Sequence, residues 1–142
     1  MKTNALNLSA AAPPVRASAS PLPLLGRLLI AGLFLLSGFG KLADPSGTIA
    51  YIVSAGLPVP QLAYAGAVAI EILGGIALLA GYRTRAVALA LALFTLAAAL
   101  GFHLQLADQN QFIHFFKNVA IAGGLLQIVS FGAGDYSIDE RR

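Results

Sequence analysis

The stretch QLAYAGAVAIEILGGIALLA, Gln61–Ala80, decides the fold. Apart from Glu71 near its centre it carries no charge, and it is as long as the ~20 helical residues that cross a ~30 Å hydrocarbon core. Working outward from it, apolar spans are expected at residues 24–40, 61–80, 86–106 and 112–131. In lipid the backbone must satisfy its own hydrogen bonds, so these are helices rather than strands. Composition agrees with that reading. Of 142 residues, 58% are hydrophobic and 11% charged, whereas about 25% are charged in ordinary soluble domains. Mean hydropathy is +0.80, and a soluble globule cannot hide so much apolar surface. The expected class is all-α, an integral-membrane four-helix bundle filling residues 22–132.

Residues 1–21, rich in Ala, Ser and Pro, are expected to form a disordered tail. A secretory signal with Leu28–Phe39 as its apolar region fits less well, because the charged lead is long and no clean Ala-x-Ala site follows that region before Lys41. Residues 133–142 form a second, short tail. Asp44-Pro45-Ser46-Gly47 and Gly56-Leu57-Pro58 bracket a first loop, in which Thr48–Ala55 is expected as a short interfacial helix presenting Tyr51. With four spans, one side holds Lys2, Arg16, Arg83, Arg85, Arg141 and Arg142, and the other holds only Lys41. That bias puts both termini in the cytoplasm.

Several function classes fall away. The chain has no cysteine, which removes disulfide frameworks, thiol nucleophiles and Fe–S clusters. A dispersed net charge of +3 gives no nucleic-acid footprint. No metal site is expected, since no His and carboxylate fall at di-iron spacing. No Gly-rich phosphate loop is present for a nucleotide or flavin.

What remains is the polar set inside the spans. A charge at the bilayer centre costs about 2.5–3.5 kcal/mol on insertion scales, so residues that persist there need a partner or a role. Glu71 lies deepest. At ~1.5 Å per residue it sits roughly 15 Å from the outer edge and Lys117 roughly 8 Å, which makes Lys117 the expected partner. Lys41, His103, His114 and Asn118 collect in the same outer half. With Phe39, Phe102, Phe115 and Phe116 they could line a cavity suited to a quinone headgroup, whose carbonyls accept hydrogen bonds while a carboxylate relays a proton. Plainer readings stand beside this one. The Glu71–Lys117 pair would serve as a helix clamp, Lys41 as an interfacial anchor, and the histidines as residues tolerated at the aqueous boundary. Arg27 would snorkel to inner-leaflet headgroups. Asp139, at the inner face, would cap a tail turn or pair with Arg27 or Arg83. Gly74-Gly75 and Gly123-Gly124 would mark close helix contacts.

Taken in order, these residues resemble a known family. Arg27 with the run Gly32–Leu42, Gly56-Leu57-Pro58, Glu71-Ile72-Leu73-Gly74-Gly75, Leu79–Arg85, Phe115–Gly124 and Gly132–Asp139 together resemble DoxX-type membrane proteins. The resemblance covers roughly residues 24–139. It implies a four-helix bundle in the bacterial cytoplasmic membrane. It also implies association with quinone-linked oxidoreductases or oxidative-stress proteins, and functional weight at Arg27, Lys41, Glu71, Lys117, Asn118 and Asp139.

Three roles are therefore expected to compete. The first is a quinone-interacting subunit of a redox system, in which a soluble or membrane partner supplies the redox centre. The second is a non-catalytic scaffold for soluble partners, and the third is a small proton-linked carrier. No cofactor is expected to be built in; quinone is the one that the polar cluster would suit, ahead of a haem held by His103 and His114. The chain alone is not expected to catalyse, its setting is the lipid bilayer, and a homo-oligomer is compatible with all three roles.

Overall fold

The computed structural model describes residues 19–141, so most of the expected N-terminal tail lies outside the described residues. The elements are α1 (Leu22–Ala43), α2 (Pro45–Ser54), α3 (Pro60–Ala80), α4 (Thr84–Phe102), α5 (Gln109–Phe131) and a 3-10 turn at Asp139–Arg141. All the helices except α2 are long and apolar enough to cross a membrane. Unlike the helices of a soluble bundle, they turn apolar side chains outward as well as inward. On α1 the stripe Leu22, Leu29 and Leu36 is 70%, 69% and 77% exposed, the face expected to meet lipid tails.

Small residues make the interior. Ala31, Phe34, Leu78, Ala88, Leu91 and Leu125 form its centre, with α1 packed along α3, α3 on α4, and α4 along α5. A Cβ on Gly38 would fall 2.7 Å from Ile72 Cδ1 and 3.2 Å from Glu71 Cβ. Glycine there lets α1 and α3 close at the depth of Glu71. Gly74 and Gly75 do the same against Leu91 and Leu35, each at 2.9 Å. At Gly123-Gly124 the approach is looser: a Cβ on Gly123 would meet nothing within 4 Å, and one on Gly124 would make an ordinary 3.5 Å contact with Ile30 Cδ1 of α1.

At one end of the bundle, the loop end, α2 lies between α1 and α3. Asp44 accepts a hydrogen bond from Gly47 N at 2.9 Å, and Pro45 occupies the first helical position. The short helix therefore starts earlier than Thr48. Tyr51 stacks on Phe102 with ring centroids 5.2 Å apart. The α4–α5 connection begins at His103 and not after Leu106. Asp108 then starts α5 by accepting from Gln111 N at 2.9 Å.

The opposite, tail end is closed by the residues after α5. Helix α3 leaves four C-terminal carbonyls to satisfy, and each finds a donor. Ala77 O accepts from Tyr82 N at 2.9 Å. Leu78 O and Leu79 O accept from Arg27 Nη1 at 3.1 and 3.2 Å, and Ala80 O from Ile138 N at 3.2 Å. Arg27 is 1% exposed, and its Nη2 donates to Tyr136 O. It does not reach for headgroups as the sequence suggested, because the end of α3 holds it inside. Gly81 turns the chain at φ +69°, and a Cβ there would collide with Arg27 Nη1 and Ser137 Cβ.

Helix α4 then starts at Arg83, whose φ of 44° and basic side chain supply no cap. Asp139 takes that role, accepting from Arg83 N at 2.8 Å and Thr84 N at 2.7 Å. The Asp139→Ala variant is expected to lose about 1–2 kcal/mol, the worth of a good N-cap. Detergent-solubilised protein titrated with SDS reads this directly.

Candidate functional site

Ser37 and Lys41 lie one helical turn apart on α1 and share a face. Lys41 Nζ donates to Ser37 Oγ at 2.8 Å and to Glu71 Oε1 at 2.9 Å, while Ser37 Oγ donates to the same Oε1 at 3.1 Å. The ammonium also stands 2.9 Å from Oε2, which receives no hydrogen bond of acceptable geometry and is held by charge alone. Glu71 is 4% exposed.

The expected Glu71–Lys117 pair is thus replaced by Glu71–Lys41. Side chains on a helix lean toward its N-terminus. Because α1 and α3 run antiparallel, Lys41 leans into the bundle and Glu71 leans out to meet it. Lys117, on α5, leans in the same sense as Glu71 and therefore toward the loop end. There its Nζ donates a hydrogen bond to His114 Nδ1 at 2.9 Å. The lysine read as an interfacial anchor is the half-buried counter-ion, and the lysine read as the counter-ion is exposed.

The ion pair belongs to the walls of two cavities. One, of about 610 Å³, lies among α1, α2, α3 and α4 and is mostly apolar, with Tyr51, Ile52, Phe94 and Phe102 around it. The other, of about 270 Å³, lies among α1, α3, α4 and α5 and is the more polar of the two, with Ser37, Thr95, His103, Lys117 and Asn118 as well as Leu33, Phe34 and Ile121 around it. Lys41, Glu71, Asn118, Lys117 and His103 thus converge as the sequence suggested. His114 stacks on His103 at 5.1 Å, and His103 Nδ1 donates to Gln111 Oε1 at 2.8 Å. Arg27 and Asp139 sit at the far end of the bundle. Of the four aromatics expected at the site, Phe102 lines the apolar cavity, whereas Phe39 and Phe116 are 56% and 48% exposed on the outside of the bundle. Sequence reasoning missed Ser37, Thr95 and Gln111. For Ser37 the signal was present, four residues before a lysine on an apolar helix.

Comparison with known proteins places this geometry. A family model described as DoxX matches residues 22–104, which takes in α1 to α4 and both members of the ion pair. Inner membrane protein YqjF of Escherichia coli (strain K12) is 39% identical over 82% of this chain and 88% of its own length. Inner membrane protein YphA of the same strain is 35% identical over 83% of this chain and 88% of its own length. No solved structure matches the chain. A bundle with four apolar spans, matched by that family model along most of its spans, belongs to the DoxX family and is an inner membrane protein.

Proposed function

We propose that this protein is a quinone-interacting accessory subunit of a membrane redox system, with its tail end in the cytoplasm. The observation that carries the proposal is the position of Lys41–Glu71 as the charged boundary of an apolar cavity of about 610 Å³. A ring with carbonyl oxygens matches such a boundary. The ammonium donates to a carbonyl, the carboxylate takes or returns the coupled proton, and Tyr51, Phe94 and Phe102 provide apolar surface for the ring and chain. Electrons pass to a partner protein. Arg83 and Arg85 at the tail end support the cytoplasmic assignment.

The test is titration of a short-chain quinone into protein in nanodiscs. Saturable binding is expected for the wild type. Lys41→Met and Glu71→Gln should each weaken it tenfold or more, since a charge-assisted hydrogen bond contributes about 1.5–3 kcal/mol. Lys117→Met, remote from this cavity, should leave it unchanged. Absence of saturable wild-type binding would remove the proposal. The scaffold reading would then gain, favoured by the charged groove of about 530 Å³ between Arg83, Arg85, Asp135 and Glu140 at the tail end.

A further inference from the structure

The smaller, polar cavity differs in chemistry from the one proposed for a ring. We infer that it is an electropositive, water-holding antechamber that joins Glu71 to the aqueous phase at the loop end, separately from the apolar cavity. Three observations support this. First, at about 270 Å³ it is far larger than one water needs, and Ser37, Thr95 and Asn118 offer partners for several. Second, Glu71 stands on its wall, and its carboxylate has an oxygen, Oε2, that receives no hydrogen bond from the described residues. Third, a ladder of polar groups leads out of it. Lys117 contacts His114, His114 stacks on His103, and His103 bonds Gln111 beside the α4–α5 connection.

The charged and titratable groups that share a cavity wall with Glu71 are Lys41 from α1, His103 from the end of α4 and Lys117 from α5, with Asp44 and Tyr51 on the other cavity's side. Within the polar cavity two ammonium groups face one carboxylate, so its potential is positive. A proton passed along a chain of waters adds to the Glu71 carboxylate, and the reverse step returns it. No oxidant or second reactant is needed. Use of this route by a bound quinol rests on the proposal above, whereas the existence of the route does not.

The chain contains no cysteine, so single cysteines report water access without background. In nanodiscs, Asn118→Cys should react with charged methanethiosulfonates on the time scale of exposed Gln109→Cys. Ala67→Cys in the apolar cavity and lipid-facing Leu73→Cys should not. The anionic sulfonatoethyl reagent should outpace the cationic trimethylammonioethyl reagent at Asn118→Cys by roughly tenfold or more, the direction set by the neighbouring Lys117 ammonium. Adding Lys117→Met should abolish that preference. Modification of Asn118→Cys as slow as that of Leu73→Cys would overturn the antechamber, and equal rates for the two reagents would overturn its charge. Should Asn118→Cys not fold, Ile121→Cys on the same wall carries the same expectations. None of these measurements involves quinone, so failure of the quinone titration leaves them intact.

Discussion

Arg27→Met is expected to destabilise the bundle by about 3–5 kcal/mol, the cost of stripping the charged partner from a buried polar network. The substitution keeps most of the side-chain volume, so little of the loss comes from a cavity. It removes the donors to Leu78 O, Leu79 O and Tyr136 O. The end of α3 is left with buried carbonyls, each unmet one costing about 1–3 kcal/mol, and without the cation that offsets its dipole. Arg27→Lys should recover only part of the loss, because one ammonium cannot span the positions that a planar guanidinium joins. SDS titration of detergent-solubilised protein, with exposed Arg85→Met as the reference, measures it. An Arg27→Met protein as stable as the reference would restore the picture of a headgroup-seeking arginine.

The second large effect is expected at the ion pair. Lys41→Met leaves Glu71 buried without its counter-charge and should cost about 3 kcal/mol. The Lys41→Met/Glu71→Gln double variant should regain much of this, since it no longer buries an uncompensated charge. The resulting cycle should show a coupling of about 1–3 kcal/mol. The parallel cycle between Lys117→Met and Glu71→Gln should close to within about 0.5 kcal/mol, the additivity of residues without shared partners. Coupling at Lys117 and none at Lys41 would reverse the assignment of the pair.

These two sites show what was legible in the sequence and what was not. Length and apolarity make Pro60–Ala80 and its three companions membrane spans without any tertiary information, because the bilayer imposes its thickness on any crossing helix. Glu71 stood out for the same reason. Its partner did not, because depth along an axis ignores the direction in which a side chain leaves its helix. Arg27 was misread for a related reason: near a membrane boundary, headgroups and helix-end carbonyls are equally plausible acceptors. The choice between them depends on Tyr136 and Gly81, distant in sequence and adjacent in space. Asp139 was legible as a capping residue, but the helix that it caps begins 55 positions earlier.

That separation has a consequence for biogenesis. The α3–α4 hairpin is synthesised and inserted well before Tyr136, Ile138 and Asp139 leave the ribosome. Until they do, the start of α4 lacks its cap and Ala80 its donor. A nascent or prematurely terminated chain therefore presents an open hairpin end at the membrane surface, where water and proteases meet it first. Completion of translation is the event that seals it, and membrane quality control would see an unfinished chain at that turn.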